Sequence, residues 1–363
     1  MEVCGSSPHG PTISAPLFRG SKLLTAPRKH QATYQHRRER SSTKPSSARR
    51  ALYSSLFLVA ALGTPFSTKS LPSQEGSGQR VISSEVSLVI LPVTVTDRSD
   101  HFVSGLDASN FQVYEDGRQQ RISLFRHEDI PVTAGVVVDH SGSMAAKRDD
   151  VIAGAVAFVQ GSNPQDREFV VNFSDSVTFG LPTSVPFTSR VADLKAALLK
   201  TPVRGETALY DALAAALERL KTAPLDKKVL LLISDGGDNA SKHTFSQVQR
   251  MAQSTSVIIY AIGLFDENSA DQNPKVLEKL AKETGGKAYL PKSSSETVSV
   301  CRQIAEDIRH QYTLGYSPEA NPRPGYRKLR VKVNAPGKAK LYVRTRPGYL
   351  FSSNGSNQNA AGQ

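Results

Sequence analysis

Cysteine is scarce in this sequence. The 363 residues include only two, Cys4 and Cys301. If the N-terminal region that carries Cys4 is removed from the mature protein, one thiol remains and no internal disulfide can form. Export without disulfides is common in bacteria, so the cysteine content leaves the compartment open. Cys301 falls on an apolar stripe of helical spacing, which predicts a buried structural thiol.

Several motifs that carry catalytic or cofactor chemistry are also missing. The sequence contains no Walker loop, Gly-x-Gly-x-x-Gly, Gly-x-Ser-x-Gly, His-Glu-x-x-His or Cys-x-x-Cys. Their absence excludes the usual nucleotide, hydrolase and zinc sites. We also find no internal repeat.

Positive charge is concentrated at the N-terminus. The net charge is +12, and residues 1–50 contribute +8 of it through ten Lys and Arg against Glu2 and Glu39. The rest of the chain therefore carries only +4. A nucleic-acid-binding protein needs a basic face on its folded part, so we predict no nucleic-acid partner.

No apolar run is long enough to span a bilayer. The 13 uncharged residues 51–63 fall short of the ~20 needed and match the apolar part of a signal peptide that follows Arg49-Arg50. We predict a basic leader and signal peptide over 1–63, a linker over 64–84 and a disordered tail over 351–363. The expected location is periplasmic, cell-surface or secreted, with membrane attachment only through an uncleaved leader.

Hydrophobic periodicity divides the remainder. Residues 85–130 alternate as strands do, with a hairpin at Asp116-Gly117, and the period of two returns over 313–350. Between them, residues 131–312 alternate buried strands with helices, the last helix covering 297–312. This order predicts a doubly wound, mostly parallel α/β domain of Rossmann-like type. The flanking strands are predicted to form one β-sandwich-like annex, because either set alone is too small to be stable.

Oxygen-bearing side chains cluster at three places in this α/β segment. Asp139-x-Ser141-x-Ser143 follows a buried strand, Gly205-Glu206-Thr207 precedes a helix, and Asp235-Gly236 ends another apolar strand. Ligands bind at the carboxyl ends of strands in open α/β sheets. Carboxylates and hydroxyls suit a small hard cation such as Mg²⁺.

With these motifs the chain resembles the von Willebrand factor A (vWA) domain and its metal-ion-dependent adhesion site. The resemblance covers about 131–312 and implies that Ser141, Ser143 and Thr207 ligate Mg²⁺ (or Mn²⁺ or Ca²⁺). It implies that Asp139 and Asp235 act largely through bound waters. Three flanking segments resemble the bacterial VWFA-related acidobacterial type: Phe111–Gly117, Arg309–Pro318 and Arg346–Tyr349.

A cation held mainly by neutral hydroxyls keeps much of its positive charge and an exchangeable position. We therefore predict a non-enzymatic, adhesion-type module that binds a protein partner through the partner's Asp or Glu carboxylate. One alternative is a metal-assisted hydrolase, although no general base beyond the two aspartates is apparent. Another is a structural envelope-assembly subunit with a vestigial site.

Each motif also has a simpler interpretation. Asp139 and its serines can cap the helix that follows, and Thr207 can be a helix N-cap. Asp235-Gly236 can be only a turn, and His140 is expected to fill a loop rather than bind metal. Asp238-Asn239 lacks the alternating spacing of a calcium loop.

Overall fold

The computed structural model describes residues 88–127, 129–266, 271–318 and 324–351. All of these belong to one compact unit, Gln79–Gln363. The predicted leader and linker, and the predicted tail apart from Phe351, lie outside the described residues. Within the described part, no helix is both long and apolar enough to cross a membrane.

The described chain forms fourteen strands and six α-helices. The strands are β1 Val89–Thr96, β2 Phe111–Glu115, β3 Arg118–Gln120, β4 Ile122–Arg126, β5 Thr133–Asp139, β6 Arg167–Phe173, β7 Val177–Phe179, β8 Lys228–Ser234, β9 Val257–Gly263, β10 Ala288–Tyr289, β11 Tyr312–Tyr316, β12 Gly325–Val333, β13 Tyr342–Arg344 and β14 Gly348–Phe351. The helices are α1 Arg148–Gly161, α2 Val191–Leu199, α3 Leu209–Lys221, α4 Phe245–Ser254, α5 Pro274–Thr284 and α6 Thr297–Arg309, with short 3₁₀ turns at Ala108–Asn110, Gly142–Lys147 and Ser294–Glu296.

A six-stranded sheet forms the centre of the α/β domain. Its order is β10-β9-β8-β5-β6-β7, and every pairing is parallel except that of β7 with β6. All seven residues of β5 are buried, as a strand covered on both faces requires. Because β5 and β8 are parallel neighbours with Val138 opposite Ile233, their carboxyl ends lie level. The predicted fold class is confirmed.

Strands from both ends of the chain interleave in the annex. One sheet has the order β13-β1-β11-β4 and the other β14-β12-β2-β3. A single apolar cluster draws on both sheets, with Leu91 and Leu314 from the first and Val113 and Val331 from the second. The annex therefore closes only after the entire α/β domain between its two halves has been synthesised.

The end of the last helix differs from the expectation. Helix α6 ends at Arg309, and Tyr312 begins β11, which is buried along its whole length between β1 and β4. Tyr312 follows Ile308 by four residues, so the apolar pattern continues the helical period although the backbone does not. Cys301, on the same helix, is fully buried, and burial raises the pKa of its thiol to about 12.

A buried carboxylate joins α6 to the annex. The side chain of Asp307 is 1% exposed, accepts a hydrogen bond of 2.8 Å from Thr94 Oγ1 on β1, and pairs with Arg344 on β13. A carboxylate so enclosed depends on these donors, because an unpaired buried charge is strongly destabilising.

A second buried carboxyl generates a testable pH dependence. Glu168 on β6 is 2% exposed, and its Oε1 has no hydrogen-bond partner in the described part of the protein. Burial raises the pKa of this carboxyl to about 8 from 4.5. The folded state therefore holds a proton that the unfolded state releases, and stability falls as the pH rises between these two values.

We expect Glu168→Gln to remove this slope, because the amide cannot ionise. The free energy of unfolding of each protein can be measured by chemical denaturation at pH 5 and at pH 7.5. The value for the variant minus the value for the wild type should be larger at pH 7.5 by on the order of 2–3 kcal/mol. An equal difference at both pH values would contradict the assignment.

Candidate metal site

The carboxylate of Asp139 is fixed at the carboxyl end of β5. Its Oδ1 accepts a hydrogen bond from the Ser141 backbone N–H at 2.9 Å, and its Oδ2 accepts one from Ser234 Oγ at 2.6 Å. The residue is 2% exposed. Burial raises the pKa of Asp139 to about 6, and the nearby Asp235 carboxylate contributes to the increase. Both carboxylate oxygens are thus held by the protein itself.

The two predicted serines meet the second aspartate. Ser141 Oγ and Ser143 Oγ are 3.2 Å apart, and Ser143 Oγ donates to Asp235 Oδ2 at 2.6 Å. The other oxygen of Asp235 accepts from the Gly237 N–H at 3.0 Å. Three of the five predicted residues are therefore linked through their side chains, and Asp139 converges with them through the Ser141 backbone N–H.

Thr207 lies on the same rim but contacts the other four less directly. Its loop is joined to the serine loop by a hydrogen bond from the Gly142 N–H to the Gly205 carbonyl at 3.1 Å. The backbone N–H of Thr207 donates to Asn239 Oδ1 at 2.8 Å. Thr207 itself is 6% exposed. Within the described residues, no hydrogen bond joins its side chain to the converging four.

Helix capping does not account for these hydroxyls. Ser141 occupies the N-cap position of the Gly142–Lys147 turn without a side-chain capping bond. The N-cap of α3 is Ala208, so Thr207 lies outside that position. The hydroxyls of Ser141 and Ser143 are instead directed toward each other and toward Asp235. Asp235 closes a side-chain turn by accepting the Gly237 N–H, and Gly236 between them has φ +79°, but the Asp235 carboxylate belongs to the cluster as well.

The His140 side chain contacts β6. The residue is 1% exposed, and its Nε2 lies 3.1 Å from Asn172 Oδ1 on β6. Asn172 in turn donates to the Ala197 carbonyl on α2 at 2.8 Å. Burial lowers the pKa of His140, which keeps the ring neutral. It ties the end of β5 to its neighbours rather than filling a loop.

The site concentrates negative charge without a protein cation. Asp139 and Asp235 are each 2% exposed, and neither forms an ion pair within the described residues. The nearby Lys147 directs its Nζ to the Leu264 carbonyl at 3.0 Å instead. Two buried carboxylates without a counterion are costly, and a bound cation would offset that cost.

The donor set also selects the kind of cation. No group of three or more His, Cys, Asp and Glu side chains in the described ranges has metal-binding geometry. The cluster instead combines two carboxylates with serine hydroxyls. All of these are hard oxygen donors, which fit Mg²⁺, Mn²⁺ or Ca²⁺ better than zinc.

Three supporting residues escaped the sequence interpretation. Ser234 directly precedes Asp235 in the sequence, but its bond to Asp139 depends on β5 and β8 being neighbours. The sequence predicts no role for Asp238 and Asn239, because the spacing of a calcium loop is missing. Asp238 Oδ1 accepts the Tyr210 N–H at 3.1 Å, so with Asn239 it holds the Thr207 loop and the start of α3.

A comparison with known protein families finds a match to the segment that contains this site. Residues 135–237 match the von Willebrand factor type A domain. The matched segment contains all five predicted residues and leaves the annex strands outside. No curated protein sequence matches the chain.

The chain also resembles several solved structures at low sequence identity. A von Willebrand factor type A protein from Catenulispora acidiphila is 14% identical with a TM-score of 0.46, over 68% of this chain and 74% of that chain. The von Willebrand domain of the type V pili tip protein Mfa5 from Porphyromonas gingivalis is 15% identical with a TM-score of 0.41, over 50% and 95%. Proximal thread matrix protein 1 from the mussel byssus, solved with zinc in its adhesion-site motif, is 19% identical with a TM-score of 0.41, over 50% and 48%. Sequence identities and TM-scores this low assign no role to individual residues. Those roles are argued from the geometry of this chain.

The Asn239 contact can be tested directly. Asn239→Ala removes the acceptor of the Thr207 N–H, so we expect the 204–208 loop to open more easily, by about 1 kcal/mol. Hydrogen–deuterium exchange should then be about fivefold faster in that loop. Asn163→Ala is a matched control, because Asn163 accepts the Gln165 N–H in a distant turn. Unchanged exchange at Thr207 would show that the contact does not hold the loop.

Proposed function

We propose that this protein is a divalent-metal-dependent protein-binding module of the adhesion type. The observation that carries the proposal is the meeting of Ser141, Ser143 and two buried, uncompensated aspartates at one sheet edge. In the proposal Ser141, Ser143 and Thr207 hold Mg²⁺, Mn²⁺ or Ca²⁺ through their hydroxyls. Asp139 and Asp235 lie behind them.

The hydrogen bonds of the site support this division of roles. Both oxygens of Asp139 already accept bonds from Ser141 N–H and Ser234 Oγ, so this carboxylate is oriented to act through water rather than to enclose a cation. The bond from Ser143 Oγ to Asp235 fixes the hydroxyl at the rim. The ion would supply a positively charged position at which a partner's Asp or Glu carboxylate replaces water.

Two finer proposals accompany this one. The protein is exported, with residues 1–63 as leader and signal peptide. The chain belongs to the VWFA-related acidobacterial type. The first is supported by the apolar segment after Arg49-Arg50, and the second by the flanking segments around Phe111–Gly117 and Arg346–Tyr349.

Metal uptake is the first prediction of the proposed function. Titration calorimetry of the wild type should show binding of Mg²⁺ and Mn²⁺, and Ser143→Ala should weaken it at least about tenfold because one ligand is lost. Ser299→Ala on α6 is the matched control, since it removes an exposed serine hydroxyl far along the chain. A wild type that takes up neither ion would leave only the fold and favour a vestigial site.

Partner binding is the second prediction. An extract passed over the immobilised wild type should yield a partner in Mg²⁺ that is released by a chelator and absent with Ser143→Ala. Converting the extract's carboxyl groups to amides beforehand should abolish capture, because the carboxylate would be the metal ligand. Capture that survives both chelation and amidation would contradict the mechanism. Turnover of a phosphate or ester substrate, abolished by Asp139→Ala, would favour the hydrolase instead.

A further inference from the structure

The outer face of the β14-β12-β2-β3 sheet is strongly basic. Lys328, Arg330 and Lys332 alternate along β12 with the inward-facing Leu329 and Val331, and all three cationic side chains are exposed. Alternate residues of a strand lie about 6.7 Å apart on one face. The three cations therefore form a row along β12.

No carboxylate lies on the strands within this face. Residues 324–351 contain eight Lys and Arg and neither Asp nor Glu. Opposite the row, β2 presents Gln112 and Tyr114, because Lys332 pairs with Gln112 and Arg330 with Tyr114. Two acidic side chains border the face. Asp116 in the hairpin turn is occupied by Arg327 at 3.1 Å and the Lys328 N–H at 2.9 Å. Glu283 on α5 lies close to Tyr326 and accepts two hydrogen bonds from Gln249.

Hydrogen-bonding groups and aromatic rings flank the cationic row. On one side Tyr114 donates to Gln112 Oε1 at 3.0 Å, and Gln119 continues the face on β3 because it pairs with Tyr114. On the other side the exposed Tyr326 lies over Gly348, where an added Cβ would fall 2.5 Å from the tyrosine hydroxyl. Only glycine at this position lets the ring lie flat on the sheet.

We propose that this face, defined by Lys328, Arg330, Lys332, Tyr114 and Tyr326, binds an acidic polysaccharide chain. The linear order of the cations fits a linear polyanion with one carboxylate on each sugar. The amides and tyrosine hydroxyls beside the row fit the hydroxyls of the same sugars. A membrane surface is a poorer match, because lipid recognition uses clusters of four to eight cations.

Single-stranded nucleic acid is also a poorer match. Such ligands need free aromatic faces on which successive bases stack. Of the two rings that define this face, only Tyr326 is exposed, so successive bases would lack a second ring on which to stack. The Tyr114 ring lies beneath Lys332, whose Nζ is 5.1 Å from the ring centroid, and its hydroxyl is bonded to Gln112. The predicted absence of a nucleic-acid partner is therefore retained, although a basic face does exist on the folded part.

The test uses the full chain with polygalacturonate as the probe, at about 0.15 M salt, where screening lengths are about 8 Å. The triple variant K328Q/R330Q/K332Q should bind roughly tenfold or more weakly than the wild type. The control K195Q/K200Q/K275Q removes the same charge from exposed positions in α2, just after α2 and in α5 and should bind like the wild type. Both variants keep the basic leader, so its contribution to polygalacturonate binding is the same in each.

Lysine acetylation followed by mass spectrometry locates the contact. Polygalacturonate should protect Lys328 and Lys332, whereas Lys195 and Lys275 stay reactive, and neutral dextran should protect none of them. Equal loss of binding in both triple variants, no protection of the face, or tighter binding of oligothymidylate would each overturn the proposal. Binding should persist in a chelator, so its failure and that of the metal-dependent function are distinguishable.

Discussion

The adjacency of β5 and β8 is the constraint on which the site depends. Parallel neighbours end at the same sheet edge, and two hydrogen bonds then cross between them, from Ser234 Oγ to Asp139 and from Ser143 Oγ to Asp235. Each aspartate is thus oriented by a hydroxyl from the other strand's segment. Neither carboxylate can be placed without the other, so the cluster forms as a unit when the central sheet pairs. The buried strands keep this edge rigid.

The interleaved annex makes the α/β domain an insertion. Because β1 pairs with β11 and β2 pairs with β12, the two halves of the annex hold the ends of the inserted domain together. Asp307 strengthens this closure, since it joins the end of α6 to Thr94 and Arg344. Movement of α6 relative to the annex would have to separate a buried carboxylate from its donors, which is costly. The two parts therefore constrain each other mechanically.

Features that depend on the local sequence pattern were predictable from the sequence. Features that depend on which strands pair were not. Continuous apolar strands and the polar residues that follow them were sufficient to locate Asp139, Ser143 and Asp235 on one rim. The role of Ser234 and the strand at Tyr312 were not predictable, because the first needs strand order and the second continues a helical period. The basic face was hidden for a related reason. Charge counted along the chain shows a surplus of only +4 outside the leader, whereas the register of β12 places Arg330 and Lys332 opposite Tyr114 and Gln112 rather than opposite a carboxylate.

The proposed metal site and the proposed polysaccharide face would both favour acidic ligands, but their physics differs. Exposed ammonium and guanidinium groups act through a field that salt screens within about 10 Å at 0.1 M. They can therefore gather a polyanion without fixing the position of any one carboxylate. A cation held in the proposed way among Ser141, Ser143 and the buried aspartates would act instead by direct coordination, so it would select a single carboxylate with defined geometry. Salt would weaken the first interaction and leave the second largely intact, whereas removal of the metal would do the reverse. Such a division lets one surface retain the chain on an acidic matrix while the other recognises an individual partner.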